Sequence, residues 1–540
     1  MKFNNFNKVA LSLSIIVLIL ISAVVFSSSS VDAKNDESQI GMYNKLRLFN
    51  EVLFKLREHY VDELSVEQLI DAAVDGMLDE LDPHTTYFTR DEFDRFTTDT
   101  RGEFGGLGIS IDKMGEYITV VSPIEGTPAY HMGILAGDRI IKVDGEDVIG
   151  ISTEDAIKKM RGEKGTKVTI TIDRPGVETD LDFEIERDII KIKSIPYAFK
   201  LDNGIGYVRV RQFNQNVTRE LRAALDELED EGIRGLMIDL RFNPGGLLDE
   251  AINTVNEFIG RGKRVVFTKG RTPQTDVEYY TKFNRQRDDY PVIVMINEAS
   301  ASASEIFAGS MQDWDRGLVV GKTSFGKGSV QRLFPLESGD GLKITTAKYY
   351  INSGRCIHRE ILDRVLRGER VTQEEWDEAE EEHYNDVYYT NEGRVVYGGG
   401  GINPDIEIDQ SSLTSFAMEL RRTNALFNFS IDYILEHDED IPADFEVGEQ
   451  VMDEFFSYID NEGIEYEQAD IDSTYEWISN SITSNIISRV HGDEAGYKIS
   501  IRQDSQLQEA LELFDRFDTL QEMFAHAQEL REEELQARSE

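Results

Sequence analysis

The chain has 540 residues, 102 of them Asp or Glu against 57 Lys or Arg, giving a formal charge of −45. A field of that sign repels phosphate backbones, which excludes nonspecific nucleic-acid binding, and the 40% hydrophobic content excludes a disordered chain. The single cysteine, Cys356, excludes an intrachain disulfide, a thiolate zinc cluster and a CxxC redox pair.

At the start, Lys2 and Lys8 precede the uncharged apolar run Ala10–Phe26, followed by Ser27–Ser30 and Val31-Asp32-Ala33. That order describes an export signal over residues 1–33 cleaved after Ala33, or an N-terminal membrane anchor through residues 10–26; either sends the remainder out of the cytoplasm, to a periplasmic or secreted location. Residues 34–100 read as a helical region, with Phe49, Val52, Leu53 and Leu56 at helical spacing and a second helix after Ser65. A small β-rich unit spans 101–190, with alternating strands at Tyr117–Val121 and Lys167–Ile172 and a short helix at Ser152–Met160. Arg161 reads as a charge at that helix's C-terminus, with Gly162 as its cap.

From 191 to 408 strands alternate with helices: Ile205–Val210, a helix near Thr218–Glu231, Gly235–Leu240, the apolar run Pro291–Ile296, and a helix at Ser302–Gln312. Alternation of this kind predicts an α/β layered core. Residues 359–385 form an acidic helical insertion in it, and 409–540 an acidic helical tail. In the tail Leu507, Leu511, Phe514, Phe517, Leu520 and Phe524 line one face, read as a packing or dimer surface.

Three segments carry candidate chemistry. Ser300-Ala301-Ser302-Ala303-Ser304 follows a strand and opens a helix, so a serine there lies beside free helix N–H groups able to hold an oxyanion. None of the eight histidines sits in a motif, although folding can bring a distant one close; the better candidate base is Lys327, in a tight turn between Gly326 and Gly328. At pH 7.4 only about 0.1% of an ordinary lysine is neutral, so a lysine base requires burial that lowers its pKa to ~7–8. Gln331 would orient that amine without adding charge. The turn Asn243-Pro244-Gly245-Gly246 presents backbone N–H groups as second oxyanion donors. Gly321–Gly328 matches a phosphate-binding loop through its lysine but has glycine where a hydroxyl must hold magnesium, which rejects a nucleotide site. In the β-rich unit Gly106-Leu107-Gly108-Ile109 would form a backbone nest for a terminal carboxylate, with the following strand edge accepting an extended peptide.

Taken together, GGLGI (Gly105–Ile109), Ser122–Val148, DLRFNPGG (Asp239–Gly246), SASASEIFAG (Ser300–Gly309) and GKTSFGKGSVQ (Gly321–Gln331) resemble the carboxy-terminal processing peptidases, or tail-specific proteases, across most of residues 40–408. The resemblance implies a multidomain fold: a helical lead, a PDZ domain and an α/β serine protease core. It implies Ser302 as nucleophile, Lys327 as general base and Gln331 as its support, with oxyanion donors at Ala303 N–H and at Gly245 or Gly246. It further implies a PDZ groove at Gly106, Leu107, Gly108 and Ile109 that captures apolar protein C-termini, and no metal or organic cofactor. A homo-oligomer is compatible with the tail. The alternative from another class is a catalytically inactive PDZ adaptor that binds such tails without cutting them.

Overall fold

The computed structural model describes residues 41–540 except 286, 288, 438–440 and 540. The signal or anchor segment therefore lies outside the described residues; no helix among those described is long and apolar enough to cross a membrane.

The chain divides into two units, 1–82 and 83–540. In the first, helix 41–59 is followed by helix Val66–Leu78. Ser65 caps the second: its Oγ accepts Gln68 N–H at 3.0 Å while Gln68 Oε1 accepts Ser65 N–H at 3.2 Å. The helical reading of 34–100 does not extend over its whole length. Thr86–Phe88 is a strand, antiparallel to Leu342 and its neighbours in the second unit. Three residues, one β-branched and two aromatic, are too few for a period to register, and their pairing partner lies far along the chain.

The β-rich unit is a five-strand antiparallel path with one further short strand, filled by Leu107, Ile118, Val120, Ile140, Val168, Ile170 and Ile185. Strands Glu103–Gly106 and Asp188–Lys191 pair and close its two ends. Its helix, Thr153–Met160, is capped by Ser152, whose Oγ accepts Asp155 N–H at 3.1 Å. The helix does not end on a left-handed glycine as expected. Arg187 donates from Nε to Met160 O (2.8 Å) and from Nη2 to Lys159 O (3.1 Å), satisfying the last carbonyls with a side chain. Gly162 is small because Arg187 fills the space beside it: a β-carbon there would lie 2.9 Å from the Arg187 stem. Arg161 lies over the Phe104 ring at 4.4 Å.

The α/β core is a six-stranded sheet in the spatial order Tyr197–Lys200, Ile205–Arg209, Gly235–Asp239, Val292–Ile296, Leu318–Gly321 and Ile406–Glu407, parallel except for its first strand. Both faces of these strands are apolar because both are covered. One face packs Val208, Ile238, Val294 and Ile296 against helices Val217–Asp230, Leu248–Val255 and Ala303–Asp313. The other packs Tyr207, Met237, Met295 and Val320 against Leu507, Leu511, Phe514, Met523 and Phe524 of the tail. The apolar stripe of the tail thus completes the sandwich of its own chain. Beside this sheet, Ser329–Pro335 and Arg264–Gly270 both pair with the long strand Gly341–Ile351. The acidic insertion folds as helices Glu360–Leu366 and Gln373–Asn385, and the segment between the core and the stripe forms a helical bundle around Phe416, Phe429, Phe455, Ile478 and Ile482.

Candidate active site

Strand Val292–Ile296 ends at the C-terminal edge of the sheet, where ligands of open α/β sheets are held, and the serine run follows it. The three serines differ in environment. Ser300 and Ser304 are fully buried, their hydroxyls donating to Leu240 O (2.9 Å) and Asn243 O (3.0 Å). Both staple the run to the neighbouring turn. Ser302 is partly exposed and heads helix Ala303–Asp313 with φ +56° and ψ −113°. A non-glycine residue held there costs on the order of 1–3 kcal/mol, strain that surrounding structure must enforce.

That enforcement comes from Glu305, a residue the sequence reading did not single out. Its fully buried carboxylate accepts Ser302 N–H (2.7 Å) and Lys327 N–H (3.0 Å) on Oε2, and Ser324 Oγ–H (2.6 Å) and Gly326 N–H (2.7 Å) on Oε1. Ser324 Oγ itself accepts Ile402 N–H at 2.7 Å, so its proton points to Glu305. Burial pushes this carboxyl above the ordinary glutamate range, and the four donors pull the other way, favouring the anion. One oxygen therefore holds the backbones of Ser302 and Lys327 together. The signal was present in the sequence: Ser302-x-x-Glu305 is a capping-box pattern, with the glutamate bonded back to the cap N–H.

Tyr349 makes a second link. Its buried hydroxyl lies 2.5 Å from Lys327 O and 3.2 Å from Ser302 O, and burial, then Glu305, raises its pKa so that it stays a donor. The glycines flanking Lys327 are required by the chain running alongside: a β-carbon on Gly326 would lie 2.7 Å from Arg359 Cβ, and one on Gly328 2.7 Å from His358 N. Gln331 makes its hydrogen bonds within its own hairpin, to Ser329 Oγ (2.9 Å) and Thr345 Oγ1 (3.3 Å). The groups that hold the Lys327 backbone are Glu305 and Tyr349.

The Asn243–Gly246 turn packs directly on Ser302. Asn243 O accepts Ala301 N–H at 3.0 Å, and its buried amide donates to Val210 O at 2.9 Å. Gly245 N–H is already engaged by Asn243 Oδ1 at 2.9 Å. Among the described residues, the N–H groups of Gly246 and Ala303 make no internal hydrogen bond, which leaves these two as the open donors. Beneath the turn, buried Asp239 accepts Arg241 Nε (3.0 Å) and Nη2 (2.7 Å), Arg209 Nη1 (2.6 Å) and Tyr207 Oη (2.8 Å). Burial alone would raise its pKa; Arg241 and Arg209 overcome that and hold it at about 2. Arg241 also reaches Asp504 of the tail, at 2.9 and 2.5 Å.

In the β-rich unit Gly106, Leu107 and Gly108 are buried, and the carbonyls of the last two turn inward: Leu107 O accepts Ala129 N–H (3.0 Å), and Gly108 O accepts Ile124 N–H (2.8 Å) and Thr127 Oγ1–H (3.1 Å). Among the described residues, the N–H groups of Leu107 and Gly108 make no internal hydrogen bond. Ile109 begins strand Ile109–Met114, which lies at the open edge of its sheet beside helix Thr153–Met160.

The sequence profile of the PDZ domain matches residues 119–174, and that of peptidase family S41 matches residues 204–365. A carboxy-terminal-processing protease of Bartonella bacilliformis is 40% identical over 342 residues, 63% of this chain and 77% of that protein. The carboxy-terminal processing protease CtpA of Bacillus subtilis is 32% identical over 364 residues, covering 66% and 77%. Among solved structures, a photosystem II D1 C-terminal processing protease aligns over 67% of this chain and 92% of its own, at 26% identity and a TM-score of 0.34. A PDZ domain ahead of a peptidase family S41 core defines a PDZ-containing protease. The chain belongs to the carboxy-terminal processing proteases of peptidase family S41.

Proposed function

We propose that the protein is an exported serine endopeptidase in which Ser302 attacks the scissile carbonyl and Lys327 takes its proton, then delivers it to the leaving amine. The intermediate is an ester-linked acyl-enzyme that water hydrolyses, and no metal or organic cofactor takes part. The reading rests on one observation: the Ser302 and Lys327 backbones share Glu305 Oε2. Ala303 N–H and Gly246 N–H are the assigned oxyanion donors; Gly245 N–H, bonded to Asn243, serves by fixing the turn. Gln331 supports the hairpin that follows Lys327.

The substrate class is protein with a free, apolar C-terminus. The N–H groups of Leu107 and Gly108 take the carboxylate, and the open strand from Ile109 pairs with the extended tail. Residues 1–33 act as the export signal or, uncleaved, as an anchor.

Incubation with peptides ending in small apolar residues, followed by mass spectrometry, tests the reading. Ser302→Ala and Lys327→Ala are each expected to abolish cleavage while circular dichroism stays unchanged. Full activity in either variant overturns the chemistry. Tight binding of the peptides by the wild-type chain without any product would instead make it an adaptor.

A further inference from the structure

The turn that leads to Asn243 holds a residue its backbone disfavours. Asn243 N–H donates to Leu240 O at 3.1 Å, closing a turn over residues 240–243, and Phe242 at its third position has φ +58°. Positive φ at that position is the type II form, where glycine or asparagine is the ordinary occupant, because a β-carbon crowds the following carbonyl. The Phe242 ring returns nothing to the fold. It is 60% exposed, outside every hydrophobic cluster, while its neighbours Arg241 and Asn243 are 5% and 0% exposed. The backbone beneath it is pinned: Phe242 N–H donates to Asn297 Oδ1 at 2.8 Å, and three residues on, Gly245 abuts Ser302 Cβ.

A bulky apolar side chain held in a strained conformation, on a rigid turn, and left in solvent three residues before the glycine that abuts Ser302 has its use outside the fold. We propose that Phe242 is a specificity-determining residue whose ring forms the apolar wall of a subsite for one substrate side chain flanking the scissile bond. The subsite favours aliphatic or aromatic side chains, which shed water against the ring, over polar ones, which lose hydration there. The inference deepens the Ser302 reading and rests on it.

Peptides with free C-termini, identical except for Leu, Phe, Ser or Asp on one or other side of the scissile bond, are competed in one mixture and their products quantified. The wild-type chain is expected to favour Leu and Phe over Ser by about tenfold or more, the scale at which apolar subsites discriminate. Phe242→Gly is expected to lower that ratio about tenfold at both concentration limits of the assay while its thermal midpoint holds or rises, and Phe242→Tyr to restore it. Unchanged ratios in Phe242→Gly overturn the proposal, as does a lowered midpoint with equal loss on every peptide. Ser302→Ala is run beside them. Cleavage surviving there defeats the reading of the reacting groups, whereas an inactive Ser302→Ala with unchanged Phe242→Gly ratios defeats this inference alone. A wild-type chain that cuts none of the peptides defeats both.

Discussion

Gly245 faces Ser302 with no room for a side chain between them: a β-carbon on Gly245 would lie 2.7 Å from Ser302 Cβ and 2.6 Å from Ala301 O. The close approach keeps the turn and its open N–H groups against the Ser302 side chain.

Gly245→Ala therefore forces the turn away from the serine, and its φ of +96° adds backbone strain. The expected outcome is loss of kcat by about 100-fold or more, the scale of removing an oxyanion donor, with stability lowered by about 1–3 kcal/mol. Steady-state kinetics with denaturant unfolding checks both. Wild-type kcat in this variant would mean that the turn plays no part in the reaction.

Glu305→Gln replaces an acceptor of four hydrogen bonds by a group that must turn an NH2 toward at least one donor. A fold loss of about 1–3 kcal/mol follows for each donor left unpaired, together with a large fall in kcat as Ser302 and Lys327 lose their common anchor. In the native enzyme the same group sets a pH effect. Burial raises its pKa, so the carboxylate gains a proton as pH falls through a range above that of ordinary glutamate, and kcat is expected to decline there. A pH–rate profile flat down to the ordinary range would contradict it.

Tyr349→Phe removes only the hydroxyl shared by the Lys327 and Ser302 carbonyls. A neutral hydrogen bond of this kind contributes about 1 kcal/mol, so the expected change is a kcat about fivefold lower with KM unchanged. Equal losses in kcat and folded fraction would reduce the residue to packing.

Asp239 gives a stability prediction with a definite sign. Its pKa is depressed from an ordinary 3.8 to about 2 in the folded chain, so its stabilisation is fully present above pH ~4 and is lost as pH falls through the folded value. The loss amounts to about 2 kcal/mol. Denaturant midpoints measured between pH 5 and pH 2 for the wild type and Asp239→Asn test it; parallel curves would refute it.

Phe514→Ala opens a gap between the tail and the sheet, where the Phe514 ring lies against Gly235. Truncating a buried phenylalanine costs about 3–5 kcal/mol, and activity per folded molecule is expected to hold. A stability change below about 1 kcal/mol would mean that the tail does not carry this face.

The local readings were legible in the sequence because they rest on short-range rules. Apolar runs of strand length and helical periods placed Gly235–Asp239, Val292–Ile296 and Val217–Asp230 within a residue or two. The Ser302-x-x-Glu305 pattern was also there as a capping box, and only the fold brings Lys327 N–H to that carboxylate. Gly162 looked like a helix stop until Arg187, 25 positions on, proved to hold the carbonyls. What the sequence determined by itself was the order of the units, the serine run, the Gly-flanked lysine and the Pro-Gly-Gly turn, since each is written in neighbouring residues. The tertiary structure decided which serine is strained and partly exposed, that Tyr349 and Glu305 span Ser302 and Lys327, and that the tail covers its own core sheet. Those are contacts between segments tens to hundreds of residues apart, fixed by packing rather than by any local preference.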